Sequence, residues 1–297
     1  MTSSALQHDV LAYSGAGGFT EAAVEAVASA LSAGAAAVVL ADAEQIADVR
    51  GRLGSDATNV VAIDRSVAGR NPARVIPALQ NLVNAHRETG VRCIGEPVRA
   101  DDSAAVRSEV ALYELILQLP AFRAWNCQLT CAYDETLDPG VVARITASHD
   151  SHADPGDAVD RARAEALPTR PVDSEELGVD RTTLSALRGF IEGRAAKAGL
   201  DDERVDDLVY AVNEVVTNSI CHGEGRARVS FWTGEDDRSV TCEVRDRGWI
   251  RDPLAGRIAP HPDRPSGRGL WLVNQLCDLV QLRSSPAGTT VRLHIDG

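Results

Sequence analysis

A single lysine, Lys197, stands against 29 arginines, and the glycine cluster Ser14-Gly15-Ala16-Gly17-Gly18 contains no lysine at all. That cluster follows a strand-like run and precedes a helix-like one, where a phosphate loop would sit, but it lacks the GxxxxGK[ST] spacing. A tight turn between strand and helix is the reading that remains. No CxxC pair occurs among the six cysteines (Cys93, Cys127, Cys131, Cys221, Cys242 and Cys277), which lie in strand-like or helix-like stretches. Reduced packing cysteines are therefore expected, with no disulfide and no metal-thiolate site. The longest apolar run, 33–41, is half a membrane span and carries a glycine, so no membrane-crossing helix is expected. The opening MTSSALQHDV has neither a basic start nor an apolar stretch, and a cytoplasmic location is expected. Positive charge is also short. Thirty Lys+Arg against 43 Asp+Glu give −13, which argues against direct binding to a nucleic-acid backbone and favours a basic protein partner. Abundant alanine and the preference for arginine over lysine fit the codon bias of a GC-rich genome, so bulk composition says little about function.

What is present is 297 residues, 44% hydrophobic and 25% charged, enough for two globular domains. The division is expected in 149–179, where three prolines and eight acidic against three basic side chains accompany few large apolar residues. This composition reads as a solvated linker between domains at 1–148 and 180–297. His149 and His152 share helical i, i+3 spacing there, without neighbouring ligands in the sequence, and are expected to be solvated.

Residues 1–148 alternate strand-like runs (His8–Tyr13, Ala36–Leu40, Val60–Ile63, Val91–Ile94, Cys127–Ala132) with helix-like ones (Thr20–Ser32, Glu44–Leu53, Pro72–Thr89, Ala104–Leu119). This is the rhythm of a parallel sheet covered on both faces. Glu96 lies just past a strand's carboxyl end, the edge where α/β proteins bind ligands, although turn chemistry around Pro97 explains it equally well. With Gly69-Arg70-Asn71-Pro72-Ala73-Arg74, Ile94-Gly95-Glu96-Pro97, Cys131-Ala132-Tyr133-Asp134 and Leu137-Asp138-Pro139, this half resembles the MEDS sensory domain over about residues 5–148. That resemblance implies a RecA-like three-layer α/β domain with a degenerate nucleotide loop. It names no ligand.

The second half carries the chemistry. A helix-like stretch from Asp180 to Ala198 ends at Gly199. The next, Val205–Cys221, has Val205, Leu208, Val209, Val212, Val215 and Val216 on one stripe and Glu214, Asn218 and His222 in an i, i+4, i+8 row on another. Glu214 can accept a proton or orient a nucleophile, and the Asn218 oxygen can complete a Mg²⁺ shell. Surface helices also carry such pairs merely as hydrogen-bonded couples, so the elements that follow decide. The strand-like Arg238–Val244 runs into Asp246-Arg247-Gly248, whose carboxylate can take a hydrogen bond from a base amino group. Ser266-Gly267-Arg268-Gly269-Leu270 opens an apolar helix expected over Leu270–Leu282, with N–H groups suited to phosphate. Gly288-Thr289-Thr290 turns into a last strand, Val291–Ile295.

In this order the four boxes, within 205–291, resemble the Bergerat ATP-binding fold of the GHKL superfamily. The resemblance implies an α/β sandwich with helices on one face of a mixed sheet, and ATP and Mg²⁺ as cofactors. It implies Glu214 as general base, Asn218 as Mg²⁺ ligand, Asp246 at the adenine with Gly248 beside it, Gly267, Arg268, Gly269 and Leu270 at the phosphates, and Thr290 near the adenine. One departure is Trp249-Ile250, where relatives often have DxGxG.

A histidine kinase needs a helical hairpin with a phosphoacceptor histidine before this domain, which the sequence lacks, and a gyrase-like or MutL-like ATPase needs a transducer domain after it. The compact domain, with its short lid over Trp249–Ser266, resembles the RsbW-type anti-sigma serine kinases, and its union with a MEDS-like domain resembles RsbA-type regulators. That implies a sigma factor and a STAS-domain anti-anti-sigma protein as partners, phosphorylation of a serine of the latter, and a homodimer. The alternatives are a nucleotide-responsive binding module without turnover, a sensor histidine kinase-like protein despite the missing hairpin, and a pure interaction protein that has lost ATP. The cluster Asp201, Asp202, Glu203, Asp206 and Asp207 reads either as a contact for a basic sigma surface or as a solvated helix start.

Overall fold

The structure, a computed structural model, describes residues 6–15, 17–68, 71–149, 154–234, 239–260 and 267–297. Ala16, Gly69, Arg70, His152, Arg238 and Ser266, which figure in the sequence reading, lie outside the described residues. The chain divides into two compact units, Met1–Ala158 and Val159–Gly297.

The first unit runs β1 (Gln7–Tyr13), α1 (Gly18–Ser32), β2 (Ala36–Ala41), α2 (Ala43–Leu53), β3 (Val60–Asp64), α3 (Arg65–Ala68), α4 (Val75–Ala85), β4 (Val91–Gly95), α5 (Ala104–Leu117), β5 (Cys127–Asp134) and α6 (Pro139–His149). Its strands form a sheet in the order β1-β5-β4-β2-β3, every neighbouring pair parallel. β2, Ala-Ala-Val-Val-Leu-Ala, is buried almost throughout, because helices cover both faces of a parallel strand. All five expected strands are present. α6 was not anticipated; it starts because the Asp138 carboxylate accepts from the N–H groups of Gly140 (2.8 Å) and Val141 (3.3 Å), with Pro139 at the first helical position.

α7 (Pro155–Ala164) carries the division point and leads into the second unit, which continues with β6 (Glu175–Asp180), α8 (Leu184–Lys197), α9 (Asp202–His222), β7 (Arg226–Thr233), β8 (Ser239–Asp246), α10 (Gly269–Leu276), β9 (Leu279–Ser285) and β10 (Gly288–Asp296). The sheet order is β6-β7-β8-β10-β9. Every pairing is antiparallel, where a mixed sheet was expected. The reason is that β10 turns back from β9 and inserts between it and β8, so the crossover through α10 never sets two parallel strands side by side. The helix expected over Leu270–Leu282 stops at Leu276, and Leu279–Leu282 belongs to β9.

The two faces of this sheet differ. Val229, Cys242, Val244, Val291, Leu293 and Ile295 form one core with Ile191 of α8, Leu208, Val212 and Val216 of α9 and Val273 of α10. The opposite face is polar yet buried: Ser230, Glu243, Gln281 and Arg292 are all at most 5% exposed. Arg292 pairs with Glu243 across the β8–β10 register (Nε to Oε2, 2.5 Å), and Arg245 reaches the other oxygen at 2.6 Å. Arg292 also donates to the Pro168 carbonyl, and Arg170 donates to Ser230 and pairs with Glu176 (2.5 Å). The stretch read as a solvated linker is thus partly folded onto the sheet. Composition hid this because the anchoring groups are arginines, which reach buried carbonyls and carboxylates from a polar segment.

His294, on the same polar face, lies 3.2 Å from Thr241 Oγ1 and 3.1 Å from Gln281 Oε1. Burial, helped by the Arg292 charge, lowers its pKa from 6.5 to about 4. Above pH 6.5 both folded and unfolded chains keep this ring neutral, whereas between pH 6.5 and 4 only the unfolded chain takes the proton. Stability contributed by this residue is therefore present above pH 6.5 and lost as pH falls towards 4, by roughly 3 kcal/mol at most. Urea unfolding at pH 7 and 4.5 should show a smaller acid loss for His294→Gln than for wild type; equal losses would remove His294 as the cause.

Candidate functional site

Asp201 caps α9, its side chain accepting from Arg204 N at 2.9 Å. Arg204 then pairs with Asp207 (3.3 Å) and with Asp278, so part of the acidic cluster is spent on the fold. The apolar stripe of α9 continues into a buried polar residue, Ser219, three and four residues beyond Val216 and Val215. Its hydroxyl donates to Asp246 Oδ2 at 2.5 Å, while Asp246 Oδ1 accepts from Gly248 N at 2.6 Å. Each oxygen retains a lone pair, so the carboxylate can still accept from a ligand. Ser219 was missed in the sequence, although a serine on a valine stripe next to Asn218 is a readable signal.

Two glycines make this arrangement possible. A Cβ on Gly223, which follows α9, would stand 2.5 Å from Asp246 Oδ1 and 2.6 Å from Ser219 O; one on Gly248 would stand 2.9 Å from both Asp246 Oδ1 and the His222 carbonyl. The end of α9 and the end of β8 therefore meet across bare backbone, with the Asp246 carboxylate wedged between them. At α10 the approach is similar. A Cβ on Gly269 would lie 2.5 Å from Glu214 Oε2 and 3.6 Å from Asn218 Nδ2, and Gly267 has φ +91°, which favours glycine.

A cleft of about 1000 Å³ opens here, and Asn218, Asp246, Gly248, Gly267, Gly269 and Leu270 all line it. Glu214 is not in its wall; its carboxylate stands at the edge, against Gly269. Arg268 is exposed at the start of α10 and does not line the cleft either. Thr290 faces away: it pairs with Arg245 on the polar face of the sheet, and the neighbour that lines the cleft is Thr289. Alternation along a strand sends adjacent residues to opposite faces, so a one-residue difference decides the matter. Thr289 Oγ1 donates to the Gly248 carbonyl at 2.8 Å.

The Trp249-Ile250 departure also has a structural counterpart. Ile250 N donates to Ser284 Oγ (2.8 Å), and Arg163 of α7, 1% exposed, donates to the carbonyls of Ile250 (2.5 Å) and Arg251 (3.2 Å). Further along, Asn274 Nδ2 donates to Gly256 O at 3.0 Å. The described part of the lid is thus held by side chains from elsewhere in the unit at its first stem, Ile250–Arg251, and again at Gly256. Residues 261–266 lie outside the described residues.

In the first unit, Glu96 accepts from Tyr13 and, through Oε2, from Gln45 (2.9 Å) and Arg99 (3.1 Å), at the carboxyl edge of the sheet. Burial and the Glu96 carboxylate raise the Tyr13 pKa above its ordinary value. Glu96 is thereby the centre of an internal network. His149 corrects the expectation of a solvated side chain: its imidazole is 6% exposed and lies 3.1 Å from Glu114. Burial pushes the Glu114 carboxyl up, but the His149 and His8 imidazoles outweigh it and lower the pKa to about 2.

Comparison with known proteins agrees with both units. Residues 178–295 match the histidine kinase-like ATPase domain, and residues 7–150 match the MEthanogen/methylotroph, DcmR sensory domain, MEDS. The chain joins a MEDS domain to a histidine kinase-like ATPase domain. Within the second, it is similar to the serine-protein kinases RsbW of Oceanobacillus iheyensis (29% identical over 126 residues, 38% of this chain and 75% of that protein) and Bacillus velezensis (29% over 135 residues, 41% and 79%). It is also similar to RsbW of Listeria monocytogenes (28% over 128 residues, 39% and 75%). The crystal structure of the RsbU and RsbW domains of a Mycobacterium tuberculosis protein is 21% identical, covering 41% of this chain and 32% of that one with a TM-score of 0.31. No helix among the described residues is long and apolar enough to cross a membrane.

Gly223→Ala should destabilise the protein by about 1–3 kcal/mol by driving a methyl group into Asp246 and the Ser219 carbonyl. Urea denaturation measures this, and an unchanged midpoint would mean that the helix end and strand end do not meet as described.

Proposed function

We propose that the second unit binds ATP with Mg²⁺ and acts as a protein serine kinase and anti-sigma factor of the RsbW kind. On this reading it holds a sigma factor and phosphorylates a serine of a STAS-domain anti-anti-sigma protein, while the MEDS unit biases that exchange. The observation that carries the reading is one cleft lined by Asn218, Asp246, Gly248, Gly267 and Gly269, with Glu214 at its edge.

The donor set suits the proposed ligands. Asp246 is pre-aligned by Ser219 and Gly248 N, so a purine amino group would meet an acceptor that needs no reorganisation. The Gly267–Gly269 turn at the start of α10 offers N–H groups and the positive end of a helix dipole, without a side chain in the way. Asn218 would hold the Mg²⁺, which when bound neutralises charge on the phosphate oxygens. Glu214, one turn earlier on α9, would orient the acceptor serine's hydroxyl and take up its proton. Such chemistry needs little beyond positioning and charge. The cytoplasmic location and a homodimer belong to the same proposal.

The held lid stem favours a second reading, a nucleotide-responsive binding module without turnover, since Arg163 fixes the carbonyls where relatives have a hinge glycine. Incubation with the cognate STAS protein and labelled ATP separates the two. The kinase reading expects transfer to the partner's serine and a loss of at least about 100-fold in Glu214→Ala. Equal transfer by Glu214→Ala would overturn the catalytic role. Absence of transfer with calorimetric ATP binding that Asp246→Asn weakens would leave the binding module.

A further inference from the structure

Four side chains from four elements of the MEDS unit converge on one point: His8 of β1, Glu114 of α5, Cys131 of β5 and His149, the last residue of α6. Their ligand atoms all lie within 4.8 Å of one another. His8 Nε2 is 2.9 Å from Glu114 Oε2, 3.1 Å from His149 Nε2 and 3.2 Å from Cys131 Sγ. His149 Nε2 is 3.1 Å from the same Glu114 oxygen, and Cys131 Sγ is 3.5 Å from the other. His8 Nε2 has three heteroatom neighbours and at most one hydrogen to offer them, and two imidazoles and a thiol converge on the one Glu114 carboxylate.

We propose that these four residues form a closed, tetrahedral Zn²⁺ site in the MEDS unit. Zn–N and Zn–O bonds near 2.1 Å and a Zn–S bond near 2.3 Å give tetrahedral edges of about 3.3–3.7 Å; the three His8 separations and the His149–Glu114 separation, 2.9–3.2 Å, are slightly shorter than such edges, and all the ligand atoms lie within 4.8 Å. The donor types also fit. One thiolate and two imidazoles suit a borderline-soft ion, and a carboxylate completes the set. A thiolate and a carboxylate with two neutral imidazoles cancel the charge of a divalent ion, so the loaded site is neutral where it is buried. Four protein ligands leave no position for water, which makes the site one that ties β1, β5, α5 and α6 together rather than one that hydrolyses a substrate. Tyr133, two residues after Cys131 on the same side of β5, is buried as well.

The ligands are scattered from residue 8 to residue 149, without any local spacing motif, so a metal-thiolate site was not expected from the sequence. The full chain, stripped by chelation and carrying Cys221→Ser to remove the one exposed thiol, provides the test. Titration with Zn²⁺ against a competing chelator should show one tight equivalent. Co²⁺ in its place should give a thiolate-to-cobalt charge-transfer band together with intense ligand-field bands of a tetrahedral ion. Cys131→Ser should abolish the charge-transfer band, and His149→Ala, at a helix end where folding is least at risk, should weaken Zn²⁺ by about 100-fold or more. Absence of a stoichiometric site in the parent protein, a six-coordinate Co²⁺ spectrum without the thiolate band, or unchanged binding in His149→Ala would each overturn the proposal.

Discussion

The wedge of the Asp246 carboxylate between Gly223 and Gly248 is the constraint on which the second unit's site depends. It brings the last turn of α9 against the end of β8, and so puts residues 32 positions apart in the chain, Glu214 and Asp246, around one cleft. The approach is closer than any side chain allows. Two absent Cβ atoms permit it, and the Ser219 hydroxyl and Gly248 N–H then saturate one lone pair on each carboxylate oxygen. The same device recurs at Gly269, where bare backbone lies against Glu214. Glycine here is less a source of flexibility than a means of close approach.

Around this point the sheet does two different jobs. Its apolar face carries the helices that present Glu214, Asn218 and the Gly267–Gly269 turn, while its other face buries a charged network around Glu243 and Arg292. A buried pair of this kind contributes little net stability but is costly to leave half-made, so it fixes the β8–β10 register. Register matters because it decides that Thr289, and not Thr290, enters the cleft. Arginines from the segment before β6 complete the arrangement, Arg170 by donating to Ser230 of the sheet and Arg163 by donating to the Ile250 and Arg251 carbonyls beyond the end of β8.

The MEDS unit has a comparable economy. Its parallel sheet is legible as five apolar runs, and two of its polar groupings contrast: the Glu96 network at the carboxyl edge and the His8–Glu114–Cys131–His149 group. The first is satisfied internally by Tyr13, Gln45 and Arg99. The second brings a thiol, two imidazoles and a carboxylate to one point, the donor set on which the proposed Zn²⁺ site rests.

The sequence by itself determined whatever depends on local pattern. The strands of the first unit and its helices other than α3 and α6, the row Glu214–Asn218 on α9, and the boxes at Asp246–Gly248 and Gly267–Gly269 all follow from periodicities and glycines that act within a few residues. Tertiary structure alone decided which of two adjacent threonines faces the cleft, that β10 inserts between β8 and β9, and that the polar segment before β6 folds onto the sheet. It also decided that His149 is buried beside His8, Glu114 and Cys131. Those outcomes rest on contacts between residues tens to more than a hundred positions apart, and no local propensity encodes where such partners will meet.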